Sequence, residues 1–136
     1  MDWKRLLADA GSAAVIRADC APGGPPAAAA VARDLGYFCV RFEGTAIPNK
    51  KALLSRMAEG LRFPSYFGNN WDALKDCLTD LDDWLPAPGY LLVFSSSGEL
   101  CREAPQEAAV LMDVLESAAG FWRQQDPPRP FKVILG

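Results

Sequence analysis

The sequence predicts an α/β fold in which a three-stranded parallel sheet is flanked by helices. Three short segments, 37–42 (YFCVRF), 90–94 (YLLVF) and 131–135 (FKVIL), are almost continuously apolar and rich in β-branched and aromatic residues. Such segments are typical of strands that are buried on both faces. Helical patterns separate the three segments, and this alternation favours a parallel sheet covered by helices. A chain of 136 residues is long enough for one such domain and too short for two ordinary ones.

Residues 1–35 are predicted to be an N-terminal extension in front of a core over residues 36–136, with both parts in a single domain. The predicted elements of the extension are a helix over 2–10, a possible strand over 13–20, a proline- and glycine-rich turn over 22–26 and an alanine-rich helix over 27–35. Gly36 follows the last helix, where a left-handed residue commonly ends it. The extension is therefore a candidate to add a strand and a helix to the three-stranded sheet.

Three further helices are predicted to connect the core strands, over 49–61, 70–81 and 105–123. The first has apolar residues at helical spacing and is limited at its end by Gly60 and Pro64. The proline of the third is suited to the first turn of a helix. The PPRP segment then leads rigidly into the last strand.

Catalysis of the familiar kinds is not expected. The sequence contains no histidine, which is the usual general base at neutral pH and a common zinc ligand. Its four cysteines (Cys20, Cys39, Cys77 and Cys101) are widely spaced, so they predict structural thiols and no zinc site. We expect no metal and no cofactor.

The acidity of the protein is local. The formal net charge is −3, and residues 69–84 contribute −4 through five aspartates and one lysine, which leaves +1 for the remainder. This distribution argues against a nucleic acid ligand and favours a cationic partner. The chain has no apolar run long enough to span a membrane, and its opening residues lack the apolar segment of a secretory signal. We expect a cytoplasmic monomer without membrane contact.

The aspartates of the predicted helix 70–81 form one face. At 100° per residue, Leu74, Leu78 and their neighbours point to the core, whereas Asp72, Asp76 and Asp80 point away from it. The first-turn position of Asp72 is favoured by the helix dipole. Asp76 and Asp80 have no such reason, since like charges four residues apart oppose helix formation mildly. A solvated face is one explanation, and a cationic partner is the other.

The loop before this helix carries Tyr66 and Phe67 beside Gly68, which can adopt a positive φ. Asn69 or Asn70 is a suitable helix N-cap. We expect one of the two aromatic rings to be buried and the other to be exposed as part of an interface.

These residues resemble the barstar family of ribonuclease inhibitors. The segment PSYFGNNWDALKDCLTDL (64–81) matches the family's proline, aromatic pair, glycine, asparagine and DAL-x-DCL helix without gaps, and the order of elements agrees from Tyr37 to the C-terminus. The resemblance implies a three-stranded parallel sheet with flanking helices and a basic, extracellular-type ribonuclease as partner. By position, Asp76 would enter the enzyme's phosphate-binding pocket and Asp72 would pair with an arginine at its rim. Tyr66 would pack on the catalytic imidazole, and the remaining contacts would come from Phe67, Gly68, Asn70, Thr79, Asp80 and, by a weaker alignment, Glu116.

The sequence departs from the family at Lys75, where the family has an interface tryptophan. The lysine weakens the acidic field and removes an aromatic anchor, and Trp71 one turn earlier is placed to recover contact area. Lys75 therefore leaves two binding hypotheses open: an inhibitor of a barnase-like ribonuclease, or a binding module or immunity protein for a different, non-ribonuclease partner. A third hypothesis, an enzyme that uses Asp72, Asp76 and Glu116 as acid, base or Mg²⁺ ligands, is disfavoured because the aspartates lie on an exposed helix face.

Overall fold

A computed structural model describes residues 2–17 and 24–136. Its helices and strands, in chain order, are α1 (Trp3–Ala8), β1 (Val15–Arg17), α2 (Gly24–Asp34), β2 (Phe38–Glu43), α3 (Lys50–Gly60), α4 (Trp71–Thr79), β3 (Tyr90–Ser95), α5 (Pro105–Arg123) and β4 (Phe131–Leu135). Short 3-10 helices follow β2, α4 and β3 at Gly44–Ala46, Leu81–Asp83 and Ser97–Glu99.

The strands form one sheet in the order β1-β4-β3-β2, and every neighbouring pair is parallel. The α/β class and the parallel sheet flanked by helices are thereby confirmed. The sheet has four strands because β1 of the N-terminal extension pairs with β4. Two helices of the extension, α1 and α2, accompany this strand.

Helices cover both faces of the sheet, as the continuously apolar strands predict. Along β3, the buried side chains of Tyr90, Leu92 and Phe94 belong to the larger core, which contains the apolar faces of α3, α4 and α5. The alternate residues Leu91 and Val93 point to the other face and pack with α1 and α2. The extension therefore supplies the second layer of the fold.

A buried lysine joins the extension to the sheet. Lys132 on β4 is 1% exposed, and its Nζ donates to the carbonyl oxygens of Asp9 (2.8 Å), Ser12 (3.1 Å) and Ala13 (3.1 Å). The Ser12 hydroxyl lies 2.8 Å from the same nitrogen. The turn between α1 and β1 thus surrounds the ammonium group with oxygen atoms.

Several predicted boundaries are wrong, among them the end of α1, the start of α2 and the end of α4. Pro25 and Pro26, which were expected in a turn, lie in the first turn of α2, where a missing N–H breaks no helical hydrogen bond. The helix predicted over 70–81 ends at Thr79, and Asp80 is its C-terminal cap. The following 3-10 helix still carries Leu81 into the core, so the apolar pattern continues beyond the α-helix. The last part of the predicted strand 13–20, with Cys20, lies outside the described residues.

Candidate protein-binding surface

The loop before α4 is a set of tight turns. The Phe67 N–H donates to the Pro64 carbonyl at 3.0 Å, and Asn69 adopts a left-handed conformation with φ 54°. Asn70 is the N-cap of α4, and its Oδ1 accepts from the Ala73 N–H at 2.7 Å. The positive φ therefore falls on Asn69 and not on Gly68, as asparagine tolerates this conformation better than other residues with a Cβ.

The two aromatic rings of the loop divide as expected. Tyr66 is 70% exposed, whereas Phe67 is half-buried against Phe63, with 4.9 Å between the ring centroids. Phe63 packs edge-on against Trp84, whose Nε1 donates to the Leu61 carbonyl at 3.0 Å. This chain of aromatic contacts fixes the loop that presents Tyr66.

The opposite faces of α4 have different roles. Leu74, Cys77 and Leu78 are buried in the core, while Asp72 and Asp76 are exposed. Trp122 of α5 ties the helix down because its Nε1 donates to the Leu78 carbonyl at 2.9 Å. We refer to Asp72, Asp76 and the adjacent, exposed Asp80 as the acidic ridge.

The acidic ridge has no basic partner among the residues that the structure describes. The salt bridges among the described residues are Arg41–Glu43 and Arg129–Asp82, and neither includes an aspartate of the ridge. The second pair, at 2.6 Å, gives Asp82 a basic partner within the fold. Asp82 is used within the fold, whereas the carboxylates of the ridge are free to bind a partner.

Tyr66 lies on the flank of the ridge near the end of α4. Partial desolvation raises the pKa of its phenol, and the neighbouring Cys77 raises it further. The negative charges of Asp80 and Asp83 act in the same direction. The Tyr66 hydroxyl is neutral near pH 7, as a tyrosine ordinarily is, and can donate a hydrogen bond.

Trp71 and Lys75 lie on the other flank of the ridge. With about 100° per residue, they stand about 60° and 100° around the helix axis from the buried Leu74, both in the same direction. Trp71 is half-buried, and the Nζ of Lys50 on α3 lies 5.4 Å from its ring centroid. Lys75 is exposed. The contact of Lys50 with Trp71 was not predicted, because no local sequence pattern links the start of α3 to the start of α4.

The remaining predicted residues take up different positions. The Thr79 hydroxyl donates to the carbonyls of Lys75 (3.2 Å) and Asp76 (3.0 Å), so it is bound to its own helix. Gly68 is exposed beside the N-cap. Glu116 is exposed on α5, the helix that packs against α4, and its side chain forms no hydrogen bond or salt bridge with the described residues.

Two features of the described residues bear on catalysis. They contain no cluster of three or more histidine, cysteine or carboxylate side chains that could hold a metal ion. Burial raises the pKa of the thiols of Cys77 and Cys101, which keeps them protonated and poorly nucleophilic. None of the described helices has the length and apolar character of a membrane span.

The fold and the surface together define an α/β domain that presents an acidic helix and an exposed tyrosine on a fixed loop. The chain belongs to the barstar family: the family model described as Barstar (barnase inhibitor) matches residues 37–136. This is a family of inhibitors and not of enzymes. No curated protein matches the chain. The matched region contains the whole loop, α4 and α5, whereas α1, β1 and α2 precede it.

Proposed function

We propose that this protein binds a barnase-like ribonuclease and blocks its active site with the acidic ridge and the Tyr66 loop. The observation that carries the proposal is the state of Asp72 and Asp76. Both are exposed on a helix whose other face is buried, and neither has a salt-bridge partner among the described residues.

The chemistry of such an enzyme explains why carboxylates suit this role. A ribonuclease binds a polyanion, so its cleft carries cationic side chains. Carboxylates on a fixed helix can take the place of phosphates, and their field accelerates association in a salt-dependent way. Since α4 is held by buried leucines and by Trp122, little conformational entropy is lost on binding.

Each residue has a proposed part. Asp76 is the anchor in the phosphate-binding pocket, Asp72 pairs with an arginine at the rim, and Tyr66 packs on the catalytic imidazole. The surrounding contacts are assigned to Phe67, Gly68, Asn70, Trp71, Lys75, Thr79, Asp80 and Glu116. The protein would act as a cytoplasmic monomer of one domain, without a cofactor.

Replacement of the anchor tests this proposal. Removal of one partner from a desolvated ion pair costs about 3–5 kcal/mol, so Asp76→Ala should weaken inhibition on the order of 100- to 4,000-fold. The matched control is Asp113→Ala, which removes an exposed aspartate from the neighbouring α5. The assay is stoichiometric inhibition of a panel of secreted microbial ribonucleases, with thermal melting to show that both variants fold. Equal inhibition by Asp76→Ala and wild type would refute the assignment.

A second candidate function is the binding of a partner that is not a ribonuclease. It is favoured by the basic flank, where the Lys50 Nζ lies over the Trp71 ring and the exposed Lys75 follows Trp71 by one turn of α4. A partner for this flank would need a carboxylate or phosphate beside its cationic cleft. Capture from native cytosol separates the two candidates: a nuclease that is lost with Asp76→Ala supports the first, and a different protein lost with the same variant supports the second.

A further inference from the structure

The strand β2 forms one outer edge of the sheet. It has six residues and pairs with β3 alone among the described elements. Its exposed edge is far in sequence from the acidic ridge and belongs to no surface discussed above. An open strand edge is a template for pairing with another chain unless something covers it.

The hydrogen-bond register shows which peptide groups of β2 face outward. The Phe38 N–H donates to the Gly89 carbonyl at the start of β3, at 3.1 Å. Peptide groups alternate between the two sides of a strand, so the backbone N–H groups of Val40 and Phe42 point toward β3 as well. The N–H groups of Cys39, Arg41 and Glu43 consequently point away from the sheet. They are donors that an added strand would satisfy.

A groove lies on each side of this edge. The smaller one, of about 340 Å³, lies between β2 and the end of α3, and its apolar lining includes Phe42, Ile47 and Gly60. The larger one, of about 750 Å³, lies between β2 and the start of α2. Arg41 borders both grooves. Since side chains of an added strand would alternate between the two faces, each groove would receive every second side chain.

The charges around the edge favour an acidic ligand. Among the residues that the structure describes, the larger groove is bordered by Arg33 and Arg41 and by no carboxylate, and the side chain of Arg41 is 69% exposed. The Arg41 Nε donates to the Ser95 hydroxyl at 2.8 Å, and its contact with Glu43 is a loose 3.9 Å. In the smaller groove, Arg and Glu side chains balance each other around the apolar floor.

We propose that the β2 edge binds an extended, acidic segment of a partner protein as a fifth strand. Backbone hydrogen bonds to the N–H groups of Cys39, Arg41 and Glu43 supply part of the affinity. Carboxylates at alternate positions point into the larger groove toward Arg33 and Arg41, and apolar side chains between them enter the smaller groove. This surface is independent of the acidic ridge, which would repel the same peptide.

Nuclear magnetic resonance of the full ¹⁵N-labelled chain tests the proposal directly. The probe is a blocked hexapeptide of alternating valine and glutamate, and the control has lysine in place of glutamate. We expect saturable shifts of the Cys39, Arg41 and Glu43 amides with the acidic peptide and slower hydrogen exchange at these amides. Absence of saturable binding, equal binding of the lysine peptide, or shifts confined to other surfaces would overturn the proposal.

Proline at position 41 separates backbone pairing from charge. Arg41→Pro removes an outward N–H that β3 does not use, a position at which edge strands tolerate proline. It should bind the acidic peptide at least tenfold more weakly than Arg41→Ala, which loses the charge alone. Equal affinities of the two variants would refute strand addition.

Two further measurements keep the test valid if the proline variant fails to fold. Arg33→Ala should weaken binding of the acidic peptide about fivefold, the equivalent of one exposed ion pair. An unchanged affinity would remove the charge argument. Sedimentation of the wild-type chain is the second measurement, because a dimer whose Cys39, Arg41 and Glu43 amides exchange slowly without any peptide would show that a second copy occupies the edge and would overturn the acidic-peptide proposal.

Discussion

Lys132 provides a quantitative test of how the N-terminal extension is attached to the sheet. We predict that Lys132→Met destabilises the protein by about 3 kcal/mol. Methionine keeps the length and apolar character of the lysine stem but removes the ammonium group. Lys132 is 1% exposed, and its Nζ has four oxygen atoms within 3.1 Å.

The magnitude follows from opposing terms. The ammonium group has three donors for these four acceptors, and a hydrogen bond to a charged group contributes about 1.5–3 kcal/mol. Three such bonds contribute roughly 5–9 kcal/mol, against a desolvation cost of several kcal/mol for a buried ion. The variant escapes this cost but leaves the carbonyls of Asp9, Ser12 and Ala13 without their donor. Since Asp9 and Ala13 lie at the surface, water recovers part of the loss, and the net destabilisation that remains is expected to be about 3 kcal/mol.

The same lysine predicts a pH dependence. Burial lowers the pKa of Lys132, the negative charge of Asp9 opposes this shift, and Arg123 adds to it. Between the lowered pKa and the unfolded value of about 10.4, the unfolded state binds more protons at this site than the native state. The contribution of Lys132 to the free energy of unfolding therefore increases as pH rises toward about 10.4. The stability difference between wild type and Lys132→Met should widen in this range.

Urea unfolding followed by circular dichroism measures both effects, with Lys4→Met as the matched control for loss of an exposed lysine. A loss of about 3 kcal/mol corresponds to a melting temperature lower by roughly 10 °C for a domain of this size. A loss under about 0.5 kcal/mol, equal to that expected for a surface substitution, would refute the bonding argument. A difference between the proteins that narrows as pH rises would refute the pKa argument.

The other predictions concern the asparagines at the start of α4 and the N-terminal extension. Asn70→Ala removes the side-chain oxygen that caps α4 and should lower the free energy of unfolding by about 1 kcal/mol in urea titrations; equal stability of this variant and wild type would contradict the cap. Asn69→Ala should also lower the free energy of unfolding, because alanine disfavours the left-handed φ at this position, and Asn69→Gly should restore it. Deletion of residues 1–35 uncovers Leu91, Val93 and Ile134, which are at most 2% exposed in the intact chain. The truncated chain should therefore bind a hydrophobic dye and aggregate. A truncated chain that is monomeric and has an unchanged melting temperature would show that the second helical layer is dispensable.

Much of the fold was predictable because the strands are buried on both faces. The segments now seen as β2, β3 and β4 are apolar without alternation, and this pattern has few explanations other than a covered parallel sheet. The strand β1 was harder to predict, since its three residues carry too little pattern. Its identity depends on pairing with β4, which is more than 100 residues away in the sequence.

The candidate surface was predictable to a similar extent. Helical periodicity placed Leu74 and Leu78 inside and Asp72 and Asp76 outside, and all four positions are confirmed. The end of α4 was not predictable by periodicity, because the 3-10 helix after it carries Leu81 inward just as another α-turn would. The approach of Lys50 to Trp71 is a tertiary contact between two helix starts, and no local signal marks it.

The stability of α4 explains how the acidic ridge can exist without a partner. Like charges at Asp72 and Asp76 cost the helix a few tenths of a kcal/mol. Leu74 and Leu78 are fully buried, and such side chains contribute about 1.5–3 kcal/mol each. The Asn70 cap and the Trp122 hydrogen bond add to this. The helix therefore keeps its unpaired carboxylates exposed at little cost, and a cationic partner meets them already in place, so its binding free energy need not be spent on ordering the helix.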